Sequence, residues 1–593
     1  MDAVQSPRKP LRLWPGVVAM LLMWLARFGL KAAIAGFPGF SLAMMWAMGL
    51  GVAVLLWWLL LSRAPWLDRL GGIALMIAGL ACAWFFKHES MGPLWLAAYA
   101  FPTACSALVV GAAAASGIAG LRRRLTMAAI VLVACAGWML LRTDGISGDH
   151  VAEFGWRWAK SPEELLLTAS APEPVASKAA EPVAPKTVEI PAAIAESHPL
   201  LSWPGFRGKD RDGVVRGVRI DANSSAKPPV QVWRKPVGPG WSSFAVAGDL
   251  IYTQEQRGEF EVVSCYRLSD GVPVWVHRDA ARFFESNAGA GPRATPSIAN
   301  GRVYSFGATG ILNALDERTG ALVWSHLVTD DTEAMASQTG GTSKVPDWGF
   351  ASSPLVFGDM VIVAAAGQLA AYDAATGKLR WLGAAGGAGY SSPHLADVGG
   401  SAQVLLASSR AVTAVSPGDG KPLWSHSWKG FPMVQPAVMA DGEILLAAGG
   451  DAGVQRIGVT QAGGAWAVTE RWSSNGLKPY FNDFVVHEGH AYGFDGRILS
   501  CIDLKDGTRR WKGGRYGNGQ MILLAEQSLL LVLSEEGELA LVRAVPDQFT
   551  EVARFKAIEG KTWNHPVLVG DLLLVRNAEE MAAFRLSVIT AGK

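Results

Sequence analysis

Ala314-Leu315-Asp316-Glu317-Arg318-Thr319-Gly320-Ala321-Leu322-Val323-Trp324 returns as Ala371-Tyr372-Asp373-Ala374-Ala375-Thr376-Gly377-Lys378-Leu379-Arg380-Trp381. Each copy reads as a short alternating strand, a tight turn at Asp-x-x-Thr-Gly and a second strand ended by an indole. Gly320 and Gly377 fit a turn position with positive φ, and the Asp carboxylate caps the turn. Looser copies run from Cys265 to Trp275, Ala414 to Trp424 and Cys501 to Trp511, and in all five the small residue stands ten positions before the Trp. With Trp233, Trp472 and Phe555 as further markers, the intervals are 42, 49, 57, 43, 48, 39 and 44 residues. One four-stranded propeller blade takes about this length.

Seven complete blades end at 275, 324, 381, 424, 472, 511 and about 555, and the tail supplies only three more strands. The strand from Val230 to Val237 is left over at the other end. Closing the ring with strands from both ends removes the exposed edges and predicts an eight-bladed, all-β propeller over residues 200–593.

Half of the 593 residues are apolar and only 18% are charged, low for a soluble chain of this size. The excess lies before residue 142, in five apolar runs at 12–35, 41–62, 69–87, 94–119 and 125–141. Each approaches the length of a membrane span, so the expected fold class is an N-terminal α-helical membrane domain of five spans (1–142) followed by the propeller. Arg8, Lys9 and Arg12, then Arg63 and Arg69, then Arg122, Arg123 and Arg124 fall on one side. That places the N-terminus in the cytoplasm and the propeller outside it, in a multi-pass protein of the inner membrane touching lipid through residues 12–141. Arg27 and Lys31 are read as snorkelling near a span end, and the runs contain no Asp or Glu, which argues against a transporter. A juxtamembrane segment and an Ala/Pro-rich linker fill 143–199, a composition that cannot bury a core and acts as a spacer. Cys82, Cys105, Cys135, Cys265 and Cys501 offer no metal-ligand or disulfide spacing. A net charge of +2 without a basic aromatic cluster gives no sign of nucleic-acid binding.

The Ala-x-Asp-x-x-Thr-Gly-x-x-x-Trp pattern at 314–324 and 371–381 resembles the tryptophan-docking motif of the pyrroloquinoline-quinone (PQQ) repeat. That family holds quinoprotein dehydrogenases and also cofactor-free propellers such as the assembly lipoprotein BamB. The resemblance implies two functions. One is a binding or scaffold module of the bacterial envelope, with a protein or polymer partner, no cofactor and no metal. The other is a PQQ- and calcium-dependent dehydrogenase that oxidises a periplasmic alcohol or sugar and reduces ubiquinone. In the loops entering the innermost strands, the candidate ligand-binding residues are Arg293, Trp348, Asn482, Asn564 and His565. Asp483 is the candidate catalytic base under the dehydrogenase reading alone. Against that reading, the sequence lacks an adjacent Cys pair and a CxxCH haem site.

Overall fold

The computed structural model describes residues 11–34, 36–118, 120–148, 151–169, 202–222, 228–332, 345–384, 387–428, 430–448 and 452–589. The Ala/Pro-rich linker from 170 onward, Asp149-His150, Arg8 and Lys9 lie outside them. The chain divides into two compact units, Met1–Ala159 with Glu285–Gly289, and Lys160–Phe284 with Ala290–Lys593.

The first unit is helical. Its rods cover 14–33, 36–61, 66–86, 93–114 and 120–137. Among the described residues, three stretches are long and apolar enough to cross a membrane: Gly39–Leu61, Trp66–Phe86 and Leu96–Ala114. Trp14–Leu30 is a shorter apolar helix, and Arg122, Arg123 and Arg124 dilute the last rod. Five clear spans therefore reduce to three and a short one.

Two further expectations change here. The third rod begins before the apolar run, at Trp66, and so takes in Asp68. This buried carboxylate accepts from Arg124 Nε at 2.7 Å and also pairs with Arg123. Arg27 does not snorkel. It is 4% exposed, with its guanidinium over the rings of Tyr99 and Phe40, 4.7 and 5.5 Å from their centroids. Cation–π contact of this kind offsets part of the cost of its burial. After the last rod, Leu141–Ile146 pairs antiparallel with Ala152–Trp156.

The second unit is the eight-bladed propeller. Seven sheets each take four consecutive strands, beginning at Ala245, Ser297, Leu355, His394, Ala437, Val485 and Gln520. The eighth combines Val567–Val569, Leu572–Arg576 and Glu580–Arg585 with Val230–Pro236, which pairs antiparallel with Glu580–Arg585. The ring is closed by the leftover strand, as its blade arithmetic requires.

The repeat stands at one register in every blade. Ala314 faces Trp324, Ala371 faces Trp381, Ala414 faces Trp424, Cys265 faces Trp275, Cys501 faces Trp511, and a bulge follows each pair. Trp233 takes the same place opposite Ala583, and Trp472 opposite Arg456. All but one of these indoles reach the next blade. Trp324 Nε1 donates to Ala374 O at 3.0 Å, and its ring lies where a Cβ on Gly377, at φ +72°, would approach within 2.7 Å. The turn glycine thus serves two demands, a left-handed backbone and room for a neighbour's ring.

The series breaks in blade seven, where the bulge register puts Ala553, not Phe555, in the docking position. Phe555 packs instead on Phe584, centroids 5.7 Å apart. The blade that follows is the one closed by two chain ends, so it has no third-to-fourth-strand turn on which an indole would dock. Trp424 shows the other exception. Blade five joins its last two strands by a Gly463-Gly464 hairpin in place of a docking turn, and the indole donates to Gln403 Oε1 of its own blade at 2.7 Å.

The closing seam carries a buried charge network. Glu255, fully buried, accepts from Gly238 N at 2.5 Å, Ser264 Oγ at 2.6 Å, Tyr266 Oη at 2.8 Å and Arg257 at 2.9 Å. Arg576, also buried, donates to Gly238 O at 3.0 Å and Gln254 O at 3.0 Å. The backbone leaving the closing strand is thereby held from both sides.

Candidate functional site

The loops that enter the innermost strands meet around the axis and bond from blade to blade. Ser243 N donates to Thr295 Oγ1 at 3.0 Å, Thr295 N to Ser353 Oγ at 3.0 Å, and Ser353 N to Ser392 Oγ at 2.9 Å. Gln435 Nε2 reaches Pro393 O at 3.0 Å, Gln520 Nε2 reaches Trp563 O at 3.2 Å, and Asn564 Nδ2 reaches Ser242 O at 2.7 Å. Small hydroxyl and amide residues recur here because each must satisfy a neighbouring blade's backbone away from water.

A segment the repeat does not predict crosses this axis. Ser202–Trp203 pairs with the innermost strand of blade one, and Val214–Val215 runs parallel to that of blade seven. Between them Arg207 and Arg211, 2% and 8% exposed, point inward from left-handed backbone at φ +61° and +55°. Such backbone is costly for residues other than glycine and persists only where the surroundings enforce it. Arg207 pairs with Asp483 of blade six at 3.2 Å and donates to Phe484 O at 2.6 Å and Asp212 O at 2.9 Å. Arg211 donates to Pro354 O at 3.0 Å and Ser353 O at 3.1 Å in blade three. Phe206 meets His565 of blade eight edge-on, centroids 5.9 Å apart.

The sequence-derived candidates separate into two groups. Asn482, Asp483, Asn564 and His565 are buried at the axis. Burial pushes the Asp483 carboxyl above its usual range, against the opposing pull of Arg207. His565 is held neutral, lowered to about 3 by burial and by Arg207. Asn482 Oδ1 accepts from Tyr480 N at 2.9 Å, and Asn564 serves the belt. Arg293 and Trp348 are half-buried on the rim. The Arg293 guanidinium lies 4.7 Å from the Phe283 ring centroid and bonds Gly291 O in its own loop. Trp348 stacks on Tyr390 at 5.3 Å and meets Phe431 edge-on at 5.3 Å.

Sequence reasoning missed a second aromatic ridge and the axial arginines. Trp241 and Trp563 lie 4.7 Å apart, Phe481 packs on Trp563 at 4.9 Å, and Lys561 sits over Trp563 at 5.1 Å. Blades three to five thus raise one ridge at the entry mouth, and blades six, eight and one raise the other. The arginines had one signal, the dense charge of Arg207-Gly208-Lys209-Asp210-Arg211-Asp212 just after Trp203-Pro204-Gly205-Phe206.

Residues 226–347 and 342–513 match the family model described as outer membrane protein assembly factor BamB. None of the curated proteins compared matches this chain. Among solved structures, BamB from Moraxella catarrhalis is similar at 15% identity, covering 60% of this chain and 100% of its own, with a TM-score of 0.44. Quinohemoprotein alcohol dehydrogenase ADHIIG from Pseudomonas putida HK5 is similar at 13% identity, covering 66% of this chain and 81% of its own, TM-score 0.48. That from Comamonas testosteroni gives 13%, 66%, 81% and 0.47. Residues 226–513 thus match PQQ-like repeats of the kind the BamB model describes, and apolar helices precede them in the chain.

Proposed function

We infer that this chain is a membrane-anchored, extracytoplasmic propeller that acts as a binding module of the cell envelope, seating a protein partner across its entry mouth. The observation that carries this reading is the pair of aromatic ridges, Trp348-Tyr390-Phe431 and Trp241-Trp563-Phe481, set around an axis sealed by the serine–amide belt and the Arg207 segment. Half-buried Trp and Tyr are the side chains that dominate protein interfaces, because they present large apolar area with few rotatable bonds. Anchoring rests on the apolar rods, and the arginines at 63, 69 and 122–124 favour a cytoplasmic N-terminus. With all five rods crossing, the propeller lies on the opposite side.

The dehydrogenase reading needs an aromatic floor, cations for a tricarboxylate quinone, and oxygen ligands for calcium. The floor exists. The donors do not fit: Asp483 is engaged by Arg207 inside the sealed axis, Asn482 accepts from its own loop, and Arg293 is held by Gly291 and Phe283. Among the described residues no cluster of three His, Cys, Asp or Glu side chains is placed to hold a metal ion.

A photocrosslinking residue at Tyr390 or Phe481, in the full chain in its own membranes, tests the binding reading. A discrete, protease-sensitive adduct that disappears in W348A/W563A is expected. The same adduct from Val323 on an outer strand, or a protease-resistant polymer adduct, would contradict it.

A further inference from the structure

The axial segment leaves one side of the propeller's core unfilled. A cavity of about 1210 Å³ opens on the face where the innermost strands end, bounded by Pro436–Glu443 of blade five, Val486–His490 of blade six and the Arg207–Arg216 stretch. Most charges on its wall are matched. Arg216 pairs with Asp212 and Asp210, and Arg456 and Arg471 pair with Glu443.

Its inner end is different. Arg207, Arg211, His394 and Phe484 line it. The one carboxylate paired there, Asp483, is taken by Arg207. Arg211 is buried, bonds only backbone carbonyls among the described residues, and has no partner on Nε. Arg207 Nε and His394 Nδ1 are likewise buried without a partner. A buried guanidinium without a counter-charge is expensive, and its Nε–Nη edge is shaped to receive two oxygens of one oxyanion. Burial, with Arg207 beside it, lowers the Arg211 pKa to about 9, which still leaves it charged near neutrality. The left-handed backbone at both arginines is the strain expected of a segment held for a purpose other than filling space.

We propose that the inner end of this cavity binds an oxyanion group, a phosphate or the carboxylate of a small molecule, on the free edge of Arg211 with His394 and Arg207 Nε beside it. The anion supplies the missing counter-charge. The rest of the cavity, lined by Ala437, Val438 and Met439 on one wall, accommodates the body of a ligand larger than the anion. This site opens on the face opposite the aromatic mouth and does not depend on it.

The test is calorimetric titration of the full chain in detergent with inorganic phosphate and, separately, with succinate, at matched ionic strength, together with thermal melts in each. The expected result is saturable millimolar or tighter binding of at least one of them, with a rise in melting temperature; which one saturates identifies the source. In R211M the affinity falls at least tenfold and the melting temperature no longer responds to the anion. H394A, which removes the unpartnered imidazole and leaves both arginines in place, also weakens the response. No saturable binding of either anion overturns the proposal. So does a response in R211M and H394A equal to that of the unsubstituted chain.

Discussion

Arg207→Met isolates the latch between the axial segment and the propeller. The two members of the Arg207–Asp483 pair are 3.2 Å apart and each 2% exposed, so removing the arginine strands a carboxylate in low dielectric. Breaking a buried pair in this way costs about 3–5 kcal/mol, and the carbonyls of Phe484 and Asp212 lose their donor as well. The deficit depends on pH with a definite sign. Burial already raises the Asp483 carboxyl, and without Arg207 it rises further. A carboxyl whose folded pKa exceeds its unfolded value contributes stability below the unfolded pKa and loses it as pH climbs through the folded one. The R207M deficit at pH 7 should therefore shrink at pH 5, by about 1–2 kcal/mol if the folded pKa lies one or more units above that pH. Removing both charges, as R207M/D483L, should recover most of the loss, because no buried charge is left unpaired. Urea unfolding of the full chain in detergent, with hydrogen exchange of peptides spanning Val485–Asp503 as the local report, measures all three. A deficit identical at the two pH values, or a double variant no better than the single, would refute the reasoning.

Gly377→Ala should cost about 2–3 kcal/mol, from a left-handed alanine and the loss of the Trp324–Ala374 hydrogen bond. Gly418→Ala, with nothing within 4 Å of the added Cβ, should stay near wild type in the same denaturation assay. Glu255 is fully buried; burial alone would raise it, but Arg257 and Arg576 hold it down to about 2. Its contribution, about 3 kcal/mol, is present above pH 4.5 and lost as pH falls toward 2, and E255Q should flatten that acid limb in a stability-versus-pH series. W348A/W563A should abolish partner crosslinking at the mouth while shifting the melting temperature by no more than a few degrees, since both indoles are half-exposed.

The ring was readable because its period is covalent. Two Asp-x-x-Thr-Gly turns, three looser turns and their indoles mark five blades outright, and a three-stranded tail next to an unassigned Val230 strand leaves closure as the solution. Phe555 misled because the docking position is fixed by a bulge, two residues of register that spacing alone does not reveal; Ala553 carries no visible mark. The five apolar runs were visible by hydropathy, but Asp68 lies just outside the third and pairs with arginines from another rod. At the site, Asn482, Asp483, Asn564 and His565 were legible as amide-, acid- and imidazole-rich entries to inner strands. What engages Asp483 was not. Arg207 lies 276 positions earlier in the chain, and nothing in local pattern announces that a short glycine-rich stretch will run through the axis of a ring formed after it.

Closure by Val230–Pro236 also fixes an order of events during synthesis. That strand emerges before any complete blade, yet its pairing partner, Glu580–Arg585, is made only after the seven other blades. Through translation of the whole propeller the strand carries an open edge, and the neighbouring axial segment has no axis to occupy. The apolar helices come earlier still. While the ring stays open, its exposed edges invite pairing with other chains. The chain that joins the two strands favours closing on itself over joining a neighbour, since the partner strand arrives at a high local concentration.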